Sequence, residues 1–147
     1  MKYIFILILL VQIQTLSSQQ ILEDHPLSKT IEETSGLEII DNMLITHNDS
    51  GGEPALYYLD KEGKIVDTRK ITGVKNNDWE DVTRDDEFIY VANMGNNFDT
   101  RKNLSIIKIP IKKSLNETVE VINFLYPEQK KFNTMYSKSQ YDAEGIV

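Results

Sequence analysis

The sequence predicts an all-β fold built from repeated four-stranded antiparallel units of the propeller kind. Helical periodicity is almost absent, and short apolar runs separated by turn residues dominate. The runs come in cycles of four. Each cycle opens on a related stretch: Ser35-Gly36-Leu37-Glu38-Ile39, then Asp78-Trp79-Glu80-Asp81-Val82, then Asp142-Ala143-Glu144-Gly145-Ile146. Ser35 to Asp78 is 43 residues and Asp78 to Asp142 is 64, within the range of propeller repeats and their insertions.

The first cycle spans about 35–71. Leu37 to Ile40 reads as a strand, and Asp41-Asn42 as a tight turn, because both residues tolerate the left-handed backbone a hairpin needs. Met43 to His47 returns, 48–54 is a loop, and Ala55 to Leu59 is the third strand. Asp60 to Gly63 turns the chain into a fourth strand, Lys64 to Ile71, with a polar outer face. The second cycle spans about 78–126. Trp79 to Thr83, Glu87 to Ala92, Leu104 to Ile109 and Thr118 to Tyr126 are its strands. Pro110 should stop the third of these, since it has no N–H for a ladder. Asn93 to Asn103 is a long amide-rich loop, and 127–140 a polar connector. Residues 142–147 would be the first strand of a third unit. Runs such as Phe88 to Ala92 are apolar throughout, as expected of strands buried on both faces by stacked sheets.

The expected architecture is therefore a partial β-propeller: two four-stranded antiparallel blades plus the first strand of a third. A propeller ring needs typically four or more blades. The chain thus reads as the N-terminal part of a longer protein, an incomplete copy.

Residues 1–18 read as a signal peptide. Lys2 is followed by an uninterrupted apolar run, Tyr3 to Val11, then a small polar stretch ending at Ser18. The run is too short to span a bilayer, which takes roughly 20 residues. The expectation is export to the periplasm or beyond, a propeller domain over 19–147, and no transmembrane segment in the mature chain. With no cysteine there is neither a disulfide framework nor a thiolate metal site. A net charge of −7 argues against nucleic acid as a partner, since its binding rests on basic residues neutralising phosphate.

Consecutive antiparallel strands reverse direction, so the start of each first strand and the end of each second strand share one face. That brings His47 to Asp49, Asp78 to Asp81, Asn93 to Asn97 and the Asp142–Glu144 pair together at a channel mouth. The donors are almost all hard oxygens, which suit Ca²⁺ or Mg²⁺. The candidate ligands are Asp78, Glu80, Asn93, Glu144 and Asp49. His47 is a candidate base on the same face, and Trp79 a packing anchor between the units. Asp41, Asn42, Asp60, Asp85 and Asp86 read instead as turn caps.

The ordered set Ser35-Gly36-Leu37, Thr46 to Gly52, Asp78-Trp79-Glu80-Asp81, Asn93 to Asn97, Tyr126-Pro127 and Asp142-Ala143-Glu144 resembles a family of exported bacterial six-bladed β-propellers. That family is largely uncharacterised and loosely similar to phytase-like and lactonase-like propellers. The resemblance covers nearly all of 19–147. It implies about six blades in a full ring, and calcium at the channel mouth in the related enzymes. The sequence departs from the family's Asp-x-Gly-Asp-Asn-like string by carrying amides at Asn93 and Asn96. Two functions follow as expectations. One is a scaffold that binds a ligand or protein partner at the channel face, with a Ca²⁺ site. The other is a calcium-dependent hydrolase of phosphoester or lactone substrates.

Overall fold

The computed structural model describes residues 21–113, 118–132 and 140–147. The expected signal peptide lies outside them. The chain folds as eight strands in two sheets. Thr34–Ile40 (β1), Met43–Asn48 (β2), Ala55–Leu59 (β3) and Ile65–Lys70 (β4) form one. Asp81–Arg84 (β5), Phe88–Asn93 (β6), Leu104–Pro110 (β7) and Glu120–Phe124 (β8) form the other. Every neighbouring pair is antiparallel and strand order follows sequence order in both sheets. The all-β expectation and the four-strand cycles hold. Among the described residues the only helix is a short 3-10 turn, Lys29–Ile31, and none is long and apolar enough to cross a membrane.

Local chemistry explains the turns. Asp41 and Asn42 both sit at positive φ, 48° and 67°, the geometry of a two-residue hairpin. Asp60 accepts from the backbone N–H of Glu62 and Lys64, and Asp85 from those of Glu87 and Phe88. Several boundaries differ from expectation: β1 begins at Thr34 rather than Leu37, and β8 is confined to Glu120–Phe124. β5 begins at Asp81 rather than Trp79, because the Trp79 N–H leaves its own sheet and donates 2.9 Å to the Asp49 carbonyl. Pro110 ends β7 instead of lying beyond it, pairing opposite Phe88 at the last rung, where a missing N–H costs little. Residues 142–147 form no strand: an extended segment without a partner has no ladder to join.

The sheets pack face to face. Ile45, Leu56 and Tyr58 from the first meet Val82, Ile89, Val91, Ile107 and Ile109 from the second, around a fully buried Trp79. Each sheet is also partly covered on its far face. Ile31 packs on Ala55, Tyr57 and Leu59, while Tyr126, Ala143 and Ile146 pack on Ala92, Met94 and Leu104. β3 is buried at all five positions for this reason. Arg69 ties the sheets at their outer strands, donating to the carbonyls of Pro110 and Ile111.

At the first strands the sheets approach closely. Ser35 Oγ donates 2.7 Å to the Glu80 carbonyl. A Cβ on Gly36 would fall 2.6 Å from the Val82 nitrogen and 2.9 Å from the Asp81 carbonyl carbon, so no larger residue fits. The ladders also fix which residues correspond. Leu37 pairs with Thr46 as Val82 pairs with Val91. Leu37 therefore corresponds to Val82, an offset of 45 rather than 43 residues.

Gly36→Ala should thus lower stability by about 1–3 kcal/mol, as overpacking against backbone does. Gly52→Ala, whose nearest neighbour would be 3.9 Å away, should change it little. Denaturant midpoints of the two variants check this.

Candidate cation site

Three segments converge beside the start of β5. The loop after β2 brings Asp49. The approach to β5, held by the Trp79 bond to Asp49 and a Glu80 N–H bond of 2.9 Å to the Ala92 carbonyl, brings Asp78 and Glu80. The C-terminal segment brings Asp142 and Glu144. Carboxylate oxygens of Asp49, Asp78 and Glu80 lie within 4.8 Å of one another, and so do those of Glu80, Asp142 and Glu144. Glu80 belongs to both groups and is 8% exposed.

Such crowding raises the affinity for protons. Burial, then the hydrogen bond and charge of Glu144, then the charges of Asp49 and Asp78 push Glu80 up to about 8. Asp78 is raised too, first by burial and then by Asp49, while Arg101 opposes the shift. Asp49 Oδ1 is buried without a hydrogen-bond partner among the described residues. The wall behind the acids is built for closeness. A Cβ on Gly95 would overlap the carboxylates of both Glu80 and Asp78. Arg101 closes the far side, donating 2.6 Å to the Gly95 carbonyl and 3.0 Å to that of Asn93. Asn96 frames the C-terminal segment: its N–H donates 2.5 Å to Asp142 and its amide 3.1 Å to the Tyr141 carbonyl.

Four of the five expected ligands, Asp49, Asp78, Glu80 and Glu144, meet here. The Asn93 amide is hydrogen-bonded to its neighbours. Its Oδ1 already accepts from Arg101 at 3.2 Å and from the Asp78 N–H, and its Nδ2 donates to Ser105. It braces the site from the sheet interface. Asp142 is the acid that sequence reasoning left out of the ligand set, although its spacing from Glu144 matches that of Asp78 from Glu80. Arg101 was also missed; nothing in its own stretch distinguishes it from a solvated loop cation.

His47, the candidate base, is placed in the interior packing. It is fully buried and belongs to neither acidic group. Its Nδ1 lies 3.0 Å from the Asn48 carbonyl, and its ring meets Trp79 edge-on at 5.7 Å. Burial lowers its pKa, so it stays neutral as part of the packing. Trp79 is the interior anchor the sequence suggested.

No protein-family model, curated protein or solved structure matches this chain.

The donor set is oxygen only, with an orphaned buried oxygen and a wall that excludes a side chain. That fits a hard divalent cation and offers nothing to a soft one. It also sets a pH dependence. Glu80 holds a proton in the fold up to about 8 and loses it near 4.5 when unfolded. Its contribution is complete below the unfolded value and lost as pH rises through the folded one. His47 acts oppositely, and only below its ordinary 6.5. In chelator, stability should therefore fall from pH 6.5 to above 8, read as melting temperature. A flat or rising profile would contradict the crowding.

Proposed function

We propose that this chain is an exported scaffold of stacked, propeller-type sheets that holds a divalent cation, calcium by donor chemistry, where the first strands open. The bound cation then presents open coordination positions to an anionic ligand or partner. The observation that carries this is the meeting of two groups of three carboxylates, from three separate segments, that share the buried Glu80. Like charges gathered that closely need a compensating charge, and Arg101 supplies only one. Asp49, Asp78, Glu80, Asp142 and Glu144 are the ligands in this reading. A cation there would also fasten the C-terminal segment to the second sheet, because Asp142 and Glu144 come from that segment.

The scaffold reading is preferred to hydrolysis because of His47. A calcium-dependent hydrolase of phosphoesters or lactones needs a group to accept a proton from water at the metal. His47 is fully buried, edge-on to Trp79, and belongs to neither acidic group. The hydrolase alternative keeps the metal and must draw its base from the carboxylates themselves. The sheet stacking supports a propeller relationship through its sequential strand order and its close contact at the first strands.

Calcium should raise the melting temperature at pH 7.5 relative to chelator. Glu80→Gln separates this from general charge screening. It should raise the melting temperature of the metal-free protein, because Gln folds without having to take up a proton, and abolish the calcium shift. A calcium shift that survives both Glu80→Gln and Asp142→Asn would sink the proposed site.

A further inference from the structure

The inner face of the second sheet changes character along its length. Two of its rungs are apolar: Ile89 pairs with Ile109, and Val91 with Ile107, which pairs in turn with Val121. Ile89, Val91, Ile107 and Ile109 meet the first sheet in the shared core. The next rung on that face is polar. Asn93 of β6 pairs with Ser105 of β7, and Ser105 with Asn123 of β8. Residues two apart on a strand share a face, so this rung continues the surface of Val91, Ile107 and Val121. Asn93 and Ser105 are nonetheless buried, 5% and 3% exposed. Packing alone would place aliphatic side chains there, because burying polar groups is costly unless their hydrogen bonds are met.

The polar rung lines a hollow of about 360 Å³, at the low end of the range for small-molecule sites. The chain between the two sheets, 73–77, contributes Lys75 and Asn77 to its wall, and Asn103 joins them just before β7. Ile107 and Val121 add an aliphatic patch. The polar groups are largely uncommitted. Ser105 Oγ accepts 3.2 Å from Asn93 Nδ2, and its own proton has no acceptor among the described residues. Asn77 and Asn123 spend neither end of their side-chain amides on protein partners among the described residues. Asn103 accepts 3.3 Å from Arg101 Nε at its Oδ1, which leaves its Nδ2 for another acceptor.

This donor set narrows the ligand. Each amide presents a donor and an acceptor side by side, and the hydroxyl is both at once. Hydroxyl groups on adjacent carbons, which also donate and accept, match such a lining. No carboxylate is among the described residues that line the hollow, which disfavours a metal ion. The one charged group there is the exposed Lys75, too little for a multiply charged anion. The aliphatic patch suits the C–H face of a ring.

We infer that this hollow binds a single pyranose sugar unit, held through neighbouring hydroxyl groups by Asn77, Ser105 and Asn123. The site is separate from the acidic one and its ligand is neutral, so the inference does not rest on the cation. Asn93 stands between the two: its Oδ1 accepts from the Asp78 N–H, and its Nδ2 holds Ser105 in place.

The test is a titration of the full chain, followed by NMR through the side-chain amide signals of Asn77 and Asn123. The probes are glucose, galactose, mannose and N-acetylglucosamine, with sorbitol as an open-chain control. At least one of the four sugars should move both signals saturably, and equally in calcium and in chelator. Asn123→Ala and Ser105→Ala, read at Asn77, should each weaken that affinity about three- to tenfold, the loss of one net hydrogen bond. Asn123 is exposed on an edge strand, so its variant carries the test if Ser105→Ala does not fold. No saturable shift with any of the four sugars overturns the site. So does affinity unchanged in Asn123→Ala, or sorbitol binding as tightly as the best sugar. Shifts that appear only with calcium also overturn it, because they would move the ligand to the acidic site. Failure of calcium to raise the melting temperature bears on the cation alone.

Discussion

The structure depends on keeping Glu80 buried among other carboxylates. Its backbone is fixed on both sides: its N–H donates to Ala92 of its own sheet, and its carbonyl accepts from Ser35 of the other. The side chain then has one direction left, toward Asp49, Asp78, Asp142 and Glu144. Isolated buried charge is expensive in proteins, and the affordable routes are a proton, a paired cation or a metal. The fold supplies a partial offset through Arg101, whose guanidinium is itself committed to the carbonyls of Asn93 and Gly95. The remaining imbalance is what raises the affinity of Glu80 for a proton.

The same contact sets the spacing of the sheets. Gly36 against Val82 permits an approach that any side chain would prevent. Trp79 occupies the wider space immediately beside it, with His47 edge-on. Packing and site are thus one piece of construction. The short stretch around Trp79 buries its aromatic ring inward, presents Asp78 and Glu80 at the edge, and gives one N–H to the loop after β2 and the next to β6. Displacing any one of these would move the others, since they share a few consecutive residues.

Much of this was legible in the sequence where the determinants are local. The Asp41-Asn42 turn, the Asp60 and Asp85 caps and the apolar strands Ala55–Leu59 and Phe88–Ala92 depend on neighbours within a few residues. The convergence of Asp49, Asp78, Glu80 and Glu144 followed from strand direction alone. The rest depended on contacts between distant segments. Asn93 looked like a ligand because its neighbour Arg101 takes up its oxygen only in three dimensions. His47 looked available because burial by Trp79 cannot be read from spacing. The offset between the first two cycles was misplaced by two residues because strand pairing, which matches Leu37–Thr46 with Val82–Val91, is invisible in the apolar pattern.

The central claim is that a cation binds beside the only tryptophan of the chain. Terbium is a luminescent stand-in for calcium, and Trp79 lies between two of the proposed ligands, Asp78 and Glu80. With excitation selective for tryptophan, terbium emission should appear on binding, saturate, and be displaced by calcium. Glu80→Gln should abolish it while leaving the protein folded. A folded wild-type chain that yields no tryptophan-sensitised terbium emission, or emission indifferent to calcium, would contradict the account.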